Sequence, residues 1–314
     1  MKNYFCFLVI IFFLASCKIN PDSNRNYADE TKIYKLHLSP APGSKYHYDI
    51  TNETEFKVEI EDKKITNESK TDVGINYEIN KDSADNFVFN TNYDKIHLYS
   101  KNGDVESDID ADNAGFSVNP AEKMLGSLRT ANIIVTLSPT GEVKSSTGYQ
   151  EIGGKFLEGF KQTGEATRDA IEKKWNKLVE EKIVKNNMDE LFKIFPDSAV
   201  HVGDTWKLTS HQSGEINLIV KTIYKLKAIN NDMAIIESEG EITSDTSPAN
   251  VLGYNNVTSD LKGTQQAQYE VETKTGMLIS GKTKARIKGK LNVMDKEVPI
   301  TIETSVKING KKIK

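Results

Sequence analysis

Lys45-Tyr46-His47-Tyr48-Asp49-Ile50-Thr51 alternates large apolar side chains with polar ones at a period of two. Successive side chains of a strand point to opposite faces, so this stretch sets Tyr46, Tyr48 and Ile50 on a dry face and His47 and Asp49 in water. The same period extends outward. Phe56, Val58 and Ile60 continue it, followed by Phe87 and Phe89, Ile96 and Leu98, and the stronger run from Asn132 to Leu137. That run ends in Ser138-Pro139-Thr140-Gly141, where proline fixes φ and glycine supplies φ > 0, and a new strand starts at Val143. After Pro196 the alternation returns through Trp206 and Leu208, Ile216 to Val220, Tyr269 and Val271, Ala285 and Ile287, Val298 to Ile302, and Val306 and Ile308. Short, turn-bounded, half-buried runs of this kind predict antiparallel sheet.

Only the middle of the chain changes period. Ile171, Trp175, Leu178, Val179 and Ile183 recur at helical spacing, with Glu172, Lys173, Lys174, Glu180, Glu181 and Lys182 on the opposite face. A polar face of mixed sign predicts core packing rather than a membrane-surface helix. Asn187, with Glu190 three residues later, has the form of a capping box opening a shorter helix through Leu191, Phe192 and Phe195 that Pro196 stops.

The β runs on either side of this segment echo one another. Pro42-Gly43-Ser44-Lys45-Tyr46 parallels Val202-Gly203-Asp204-Thr205-Trp206, and the Thr140-Gly141 turn parallels Thr275-Gly276. An internal duplication is the economical reading, and chance similarity between hairpins is the alternative, since Thr-Gly turns are common. The expected fold is mainly β (α+β): curved antiparallel sheets in two similar β halves, residues 35–150 and 197–314, separated by a helical segment, residues 151–196. Strands curving around a helix would leave a concave apolar face, as in lipoprotein carrier half-barrels.

Upstream of the strands, an apolar run from Tyr4 to Leu14 follows Lys2 and leads into Leu14-Ala15-Ser16-Cys17. A basic start, a short apolar run and small residues before a cut mark a signal peptide, and the run is shorter than the about 20 residues a bilayer requires. Cys17 directly after Leu14-Ala15-Ser16 resembles the lipobox of bacterial lipoproteins. The resemblance implies removal of residues 1–16 and a thioether-linked diacylglycerol on Cys17, testable by palmitate labelling; a secretory signal with an incidental cysteine is the alternative. Two or three acyl chains, at about 0.8 kcal/mol per buried CH₂, anchor a protein to its membrane effectively for good. By analogy with enterobacterial lipoproteins, Lys18 after the cysteine favours the outer membrane, while its periplasmic and cell-surface faces both stay open. Residues 17–34, polar and carrying Pro21, read as the lipidated tether.

The other cysteine, Cys6, lies inside the segment to be removed, so the mature chain has no disulfide, thiolate nucleophile or cysteine metal site to offer. Residues 1–16 carry one basic residue and no acid, which leaves 40 basic against 45 acidic residues and no basic stripe for nucleic acid. The densest acidic stretch contains Asp108-x-Asp110-x-Asp112, the first half of a calcium loop, but Asn113 and Asn119 stand where an EF-hand needs glycine and glutamate. A solvated acidic loop is the default, with calcium at Asp108, Asp110 and Asp112 as the metal alternative. His37, His47, His97, His201 and His211 show no zinc spacing, and no nucleophile elbow, phosphate loop or dinucleotide fingerprint occurs. The expectation is therefore no catalytic residue, no cofactor and no enzyme. A glycosidase is the exception that spacing does not exclude, because its two acids need share no motif.

The lipobox, Gly43 to Tyr46, Phe195-Pro196, Val202-Gly203-Asp204-Thr205-Trp206 and Thr275-Gly276 together resemble a family of uncharacterised Bacteroidota-type lipoproteins, a domain of unknown function. The resemblance implies architecture and location without an activity. Asp82-Ser83-Ala84 and Asp197-Ser198-Ala199 resemble O-glycosylation acceptors of such envelopes, at Ser83 and Ser198. The expected function is a lipid-anchored, non-enzymatic envelope binder of an apolar or amphipathic ligand such as a lipid or glycolipid. The alternatives are a structural lipoprotein docking other envelope proteins, through exposed aromatics such as Tyr254 and Tyr269, and a glycan hydrolase.

Overall fold

A computed structural model describes residues 32–60, 63–148, 165, 169, 172–173, 181–212, 216–245, 247–251, 254–294 and 296–314. Thirteen strands form one antiparallel sheet. They are β1 (Ser44–Ile60), β2 (Lys63–Lys81), β3 (Phe87–Asn102), β4 (Val105–Asp110), β5 (Ile133–Leu137), β6 (Val143–Thr147), β7 (Thr205–Gln212), β8 (Leu218–Asn230), β9 (Met233–Ser244), β10 (Ala249–Val251), β11 (Tyr254–Glu272), β12 (Leu278–Val293) and β13 (Lys296–Ile313). The order is β6-β5-β3-β2-β1-β13-β12-β11-β9-β8-β7, with β4 beside β3 and β10 beside β11. Both β halves are present, and β1 joins β13 to make them one sheet.

Read from the β7 edge, the sheet is a single meander: the second half runs inward to β13 and the first half continues outward from β1. The chain thus begins at the centre, leaves by the β6 edge and re-enters at the β7 edge. Between those edges stands helix α2 (Glu181–Phe192), which touches both β6 and β7. A second helix, α1 (Pro120–Arg129), capped by the Asn119 side chain accepting from the Ala121 N–H, packs on β3. The sheet stays open, and α2 occupies the place where a closing pair of strands would meet.

Packing explains the position of α2. Met188, Leu191, Phe192 and Phe195 recur at i, i+3, i+4 and i+7 and are all buried. The Phe192 ring lies 5.1 Å from Phe89, 6.1 Å from Tyr77 and 6.2 Å from Tyr48, so the helix inserts an aromatic into the inner face of β1, β2 and β3. Pro196 ends the segment, since the residue before a proline is driven out of the α region. The capping box expected at Asn187 does not form, because α2 is continuous from Glu181 and passes through Asn187 without a break. The expected helix around Trp175 lies outside the described residues, although Glu172 and Lys173 are helical.

The strands are longer than the runs that announced them, reaching 19 residues in β2 and β11. On β1 the inward set is Tyr46, Tyr48, Ile50, Asn52, Thr54, Phe56 and Val58. Two polar members in phase with the apolar ones split a single strand into two short patterns. The segment before β1 closes one end of the sheet: Tyr34 pairs with Val200, the Leu38 N–H donates to the Pro139 carbonyl at 2.8 Å, and the Ser39 N–H to the Thr275 carbonyl at 2.7 Å. The two echoing Thr-Gly turns are thus laced to neighbouring residues of one segment.

Candidate functional site

The in-phase polar residues of separate strands line up. The register places Ser69, Thr54, Thr304, Ala285, Gln265, Gly240 and Thr222 opposite one another across seven strands. A second row holds Thr71, Asn52, Val306, Thr283, Ala267, Ser238 and Tyr224. A band of hydroxyls and amides therefore crosses the inner face. On one side lies the aromatic cluster around Phe192; on the other lies an aliphatic cluster that includes Val58, Leu218, Ile242, Leu261, Ile287 and Ile302. Asn52, Thr283 and Thr304 in the band are buried. Thr304 donates to Asn52 Oδ1 at 3.1 Å and shares a 2.7 Å hydrogen bond with Thr54, as buried polar groups require.

One polar atom on this band lacks a partner. Gln265 is 6% exposed and its Oε1 is buried without a hydrogen bond, while Ser238, 4% exposed, lies against the Tyr269 hydroxyl. Gln265 lines a cleft of about 40 Å³ between α2 and the inner face of β7, β8 and β11, together with Asp189, Glu190, Thr222, Tyr224 and Tyr269. Glu190 is half-buried there, and loss of water raises its carboxyl well above the ordinary carboxylate range. Burial likewise pushes the Tyr224 and Tyr269 hydroxyls upward, with the Glu190 charge adding to both.

A larger groove of about 700 Å³ crosses β3, β2, β1, β13, β12 and β11 at the level of the band, rimmed by Glu53, Glu55, Glu303, Lys70, Lys284 and Arg286. The expected concave apolar face is present as an inner face, yet its apolar side chains are buried within the two clusters and leave the larger space to polar groups.

The other candidates are scattered. Asp108 binds His97 at 2.6 Å, Asp110 accepts from the Asp112 N–H at 2.8 Å, and Asp112 pairs with Arg129. His47 meets Asn76 Oδ1 at 2.9 Å, His201 meets Asp204 at 3.2 Å, His37 lies 3.2 Å from the Lys35 carbonyl, and His211 lines the cleft. Among the described residues no group of three or more His, Cys, Asp or Glu is placed to hold a metal ion. Ser83 and Ser198 are exposed on turns. Tyr269 is 2% exposed, because it is in phase with Ala267 and Val271 on the inner face, and so offers no docking surface. Cys17 lies outside the described residues, and so does the side chain of Tyr254. Glu190, Gln265 and Ser238 escaped the sequence reading; the available signal was a polar residue recurring in phase on one strand after another.

No helix among the described residues is long and apolar enough to cross a membrane. Among solved structures, one titled for lipid-protein interactions in lipovitellin aligns with a TM-score of 0.50 at 10% identity, covering 86% of this chain and 25% of that one. The chain thus spans about a quarter of that protein's length. An outer membrane channel from Pseudomonas putida F1 aligns at 7% identity over 87% of this chain and 97% of the channel, with a TM-score of 0.26, too low to indicate a common fold. No curated protein matches the chain. A family model described as a family of unknown function (DUF6263) matches residues 84–278, more than half of the chain, from the turn before β3 through the helical segment to the start of β12, and the chain belongs to that family.

Proposed function

We propose that this protein is a non-enzymatic, lipid-anchored envelope protein that holds an amphipathic ligand at the polar band crossing the inner face of its sheet. In this reading Cys17 is acylated, as in Bacteroidota-type lipoproteins, and ties the sheet to the outer membrane. One observation carries the ligand: a polar band between two apolar clusters, with the unpartnered Gln265 Oε1 in it. An apolar tail and a polar head match that sequence of surfaces. The lipovitellin likeness, whose title concerns lipid and protein, supports an apolar or amphipathic guest for a sheet of this kind.

Native mass spectrometry of protein extracted from its own membrane tests the reading. A bound amphiphile retained by the wild type is expected; a ligand-free protein under conditions that keep it folded overturns it. A second reading, docking of another envelope protein, draws on Phe116 and Val118, which are 98% and 92% exposed on the loop before α1. A photo-crosslinker at position 116 that captures one specific envelope neighbour would favour it. The exposure of Ser83 and Ser198 supports O-glycosylation at both, which the intact mass of mature protein would reveal.

A further inference from the structure

The cleft under α2 is lined by two residues with unpartnered acceptors. Asp189 Oδ1 and Gln265 Oε1 are both buried without a hydrogen bond, and both residues line it. The other oxygen of Asp189, Oδ2, is held by Lys185 at 3.1 Å, with Lys193 at 3.9 Å. Glu190, next to Asp189 on α2, brings a second carboxyl, and burial alone acts on it, with no hydrogen bond or opposite charge among its influences. The tyrosine hydroxyls beside it are engaged elsewhere: Tyr224 with Thr222, and Tyr269 with Thr283 and Ser238. Two unpartnered oxygens and the Glu190 carboxyl thus belong to residues lining one space of about 40 Å³. An anion would meet two carboxyls there. A guest with fewer donors would leave acceptors unmatched, each at a cost comparable to a lost hydrogen bond.

We propose that this cleft receives a primary ammonium group, on a free alkylamine or on the head of an amino-bearing lipid, with Glu190, Gln265 Oε1 and Asp189 Oδ1 as its acceptors. An ammonium head has about the volume of a water molecule, ~30 Å³, and fits. It brings three donors to three acceptors. Tyr224, stacked on Trp206 at 5.7 Å, adds an aromatic wall of the kind that attracts cations. The titratable groups that line the cleft with Glu190 are Asp189 on α2, Lys193 just after it, His211 on β7, Tyr224 on β8 and Tyr269 on β11. The entering cation draws the proton from Glu190, which passes to solvent, and the pair that remains is carboxylate against ammonium. The proposal rests on the ligand-binding reading and specifies the head of the ligand.

Calorimetric titration of the full chain in lipid nanodiscs, with empty discs as blank, uses n-butylammonium, n-octylammonium, tetramethylammonium and 1-butanol in two buffers of different ionisation heat. The expected result is binding of n-butylammonium with proton release, and none of tetramethylammonium, which has no N–H, or of 1-butanol. Glu190→Gln is expected to weaken n-butylammonium about tenfold or more while melting no lower than wild type. Gln265→Leu is the second variant, with the same loss expected. If n-butylammonium does not bind, or binds both variants as it binds wild type, the cleft holds water only and the proposal is overturned. The tail separates the two readings. Equal affinity for n-butylammonium and n-octylammonium keeps the ammonium site and removes the amphipathic ligand. Tight n-octylammonium binding that both variants leave intact removes the ammonium site and keeps the amphipathic ligand.

Discussion

The indole Nε1–H of Trp206, near the start of the edge strand β7, donates to the carbonyl of Ile194 at 3.0 Å, just beyond the end of α2. The same ring stacks on Tyr224, which lines the cleft beneath the helix. One side chain therefore ties the free edge of the sheet to the helix that stands in its gap. Trp206→Phe keeps an aromatic against Tyr224 and deletes the hydrogen bond. A loss of about 1 kcal/mol is expected from urea unfolding, with faster proteolysis around residue 194 than elsewhere. An unchanged cleavage pattern would show that α2 is held without this bond.

Phe192 of α2 is fully buried among Tyr48, Tyr77 and Phe89. Its truncation removes a ring from an edge-to-face cluster that the sheet cannot collapse to fill. Phe192→Ala should cost about 3–5 kcal/mol by denaturant midpoint, whereas an exposed position such as Phe116 should change stability by about 0.5 kcal/mol or less.

Gly141 and Gly103 separate conformation from crowding. Both have positive φ, +85° and +60°, but a Cβ on Gly141 would lie 1.9 Å from the Phe192 carbonyl oxygen, while one on Gly103 meets nothing within 4 Å. Gly103→Ala should cost about 1 kcal/mol from backbone strain alone. Gly141→Ala should cost clearly more, because the turn must withdraw from α2, and equal losses would contradict the close seating of the helix on that turn.

The pH dependence has two opposite limbs. Glu190 keeps its proton in the folded state above the ordinary carboxylate range, so the folded chain binds more protons than the unfolded one there, and stability falls as pH rises through that window. Glu122 is the reverse: the Ser117 hydroxyl, with Asn113 and the backbone near Asp110, holds its carboxyl low. Its contribution is present above the ordinary range and is lost as pH falls below it. Melting curves of wild type and Glu190→Gln should diverge with rising pH, by at most about 1.4 kcal/mol per pH unit. Parallel curves would mean that Glu190 is already ionised in the fold.

Strand identity was legible because period-two patterning survives in a half-buried sheet: Tyr46, Tyr48 and Ile50 face inward as the alternation requires. Strand length was not, since Asn52, Thr54, Thr283 and Thr304 sit in phase with apolar neighbours and end a hydrophobic run without ending a strand. Nor does any local pattern reveal that β1 pairs with β13, a contact between residues some 250 apart such as Thr54 and Thr304. The Val202-Gly203-Asp204-Thr205-Trp206 motif proves structural throughout. The Gly203 N–H donates to the Leu226 carbonyl at 2.7 Å, Asp204 accepts from the His201 N–H at 2.8 Å, and Trp206 reaches α2. Asn187 and Glu190 matched a helix start by spacing alone. Glu190 instead lines the cleft, a position that depends on strands far away in sequence and so leaves no local mark.

Native mass spectrometry of wild type and Glu190→Gln, each extracted from the membrane in which it was made, reads out whether the polar band and the cleft under α2 hold the head of an amphipathic ligand, as proposed. One bound amphiphile is expected on the wild type, sharply reduced on the variant at unchanged fold. Wild type that carries no amphiphile while remaining folded would overturn the proposal.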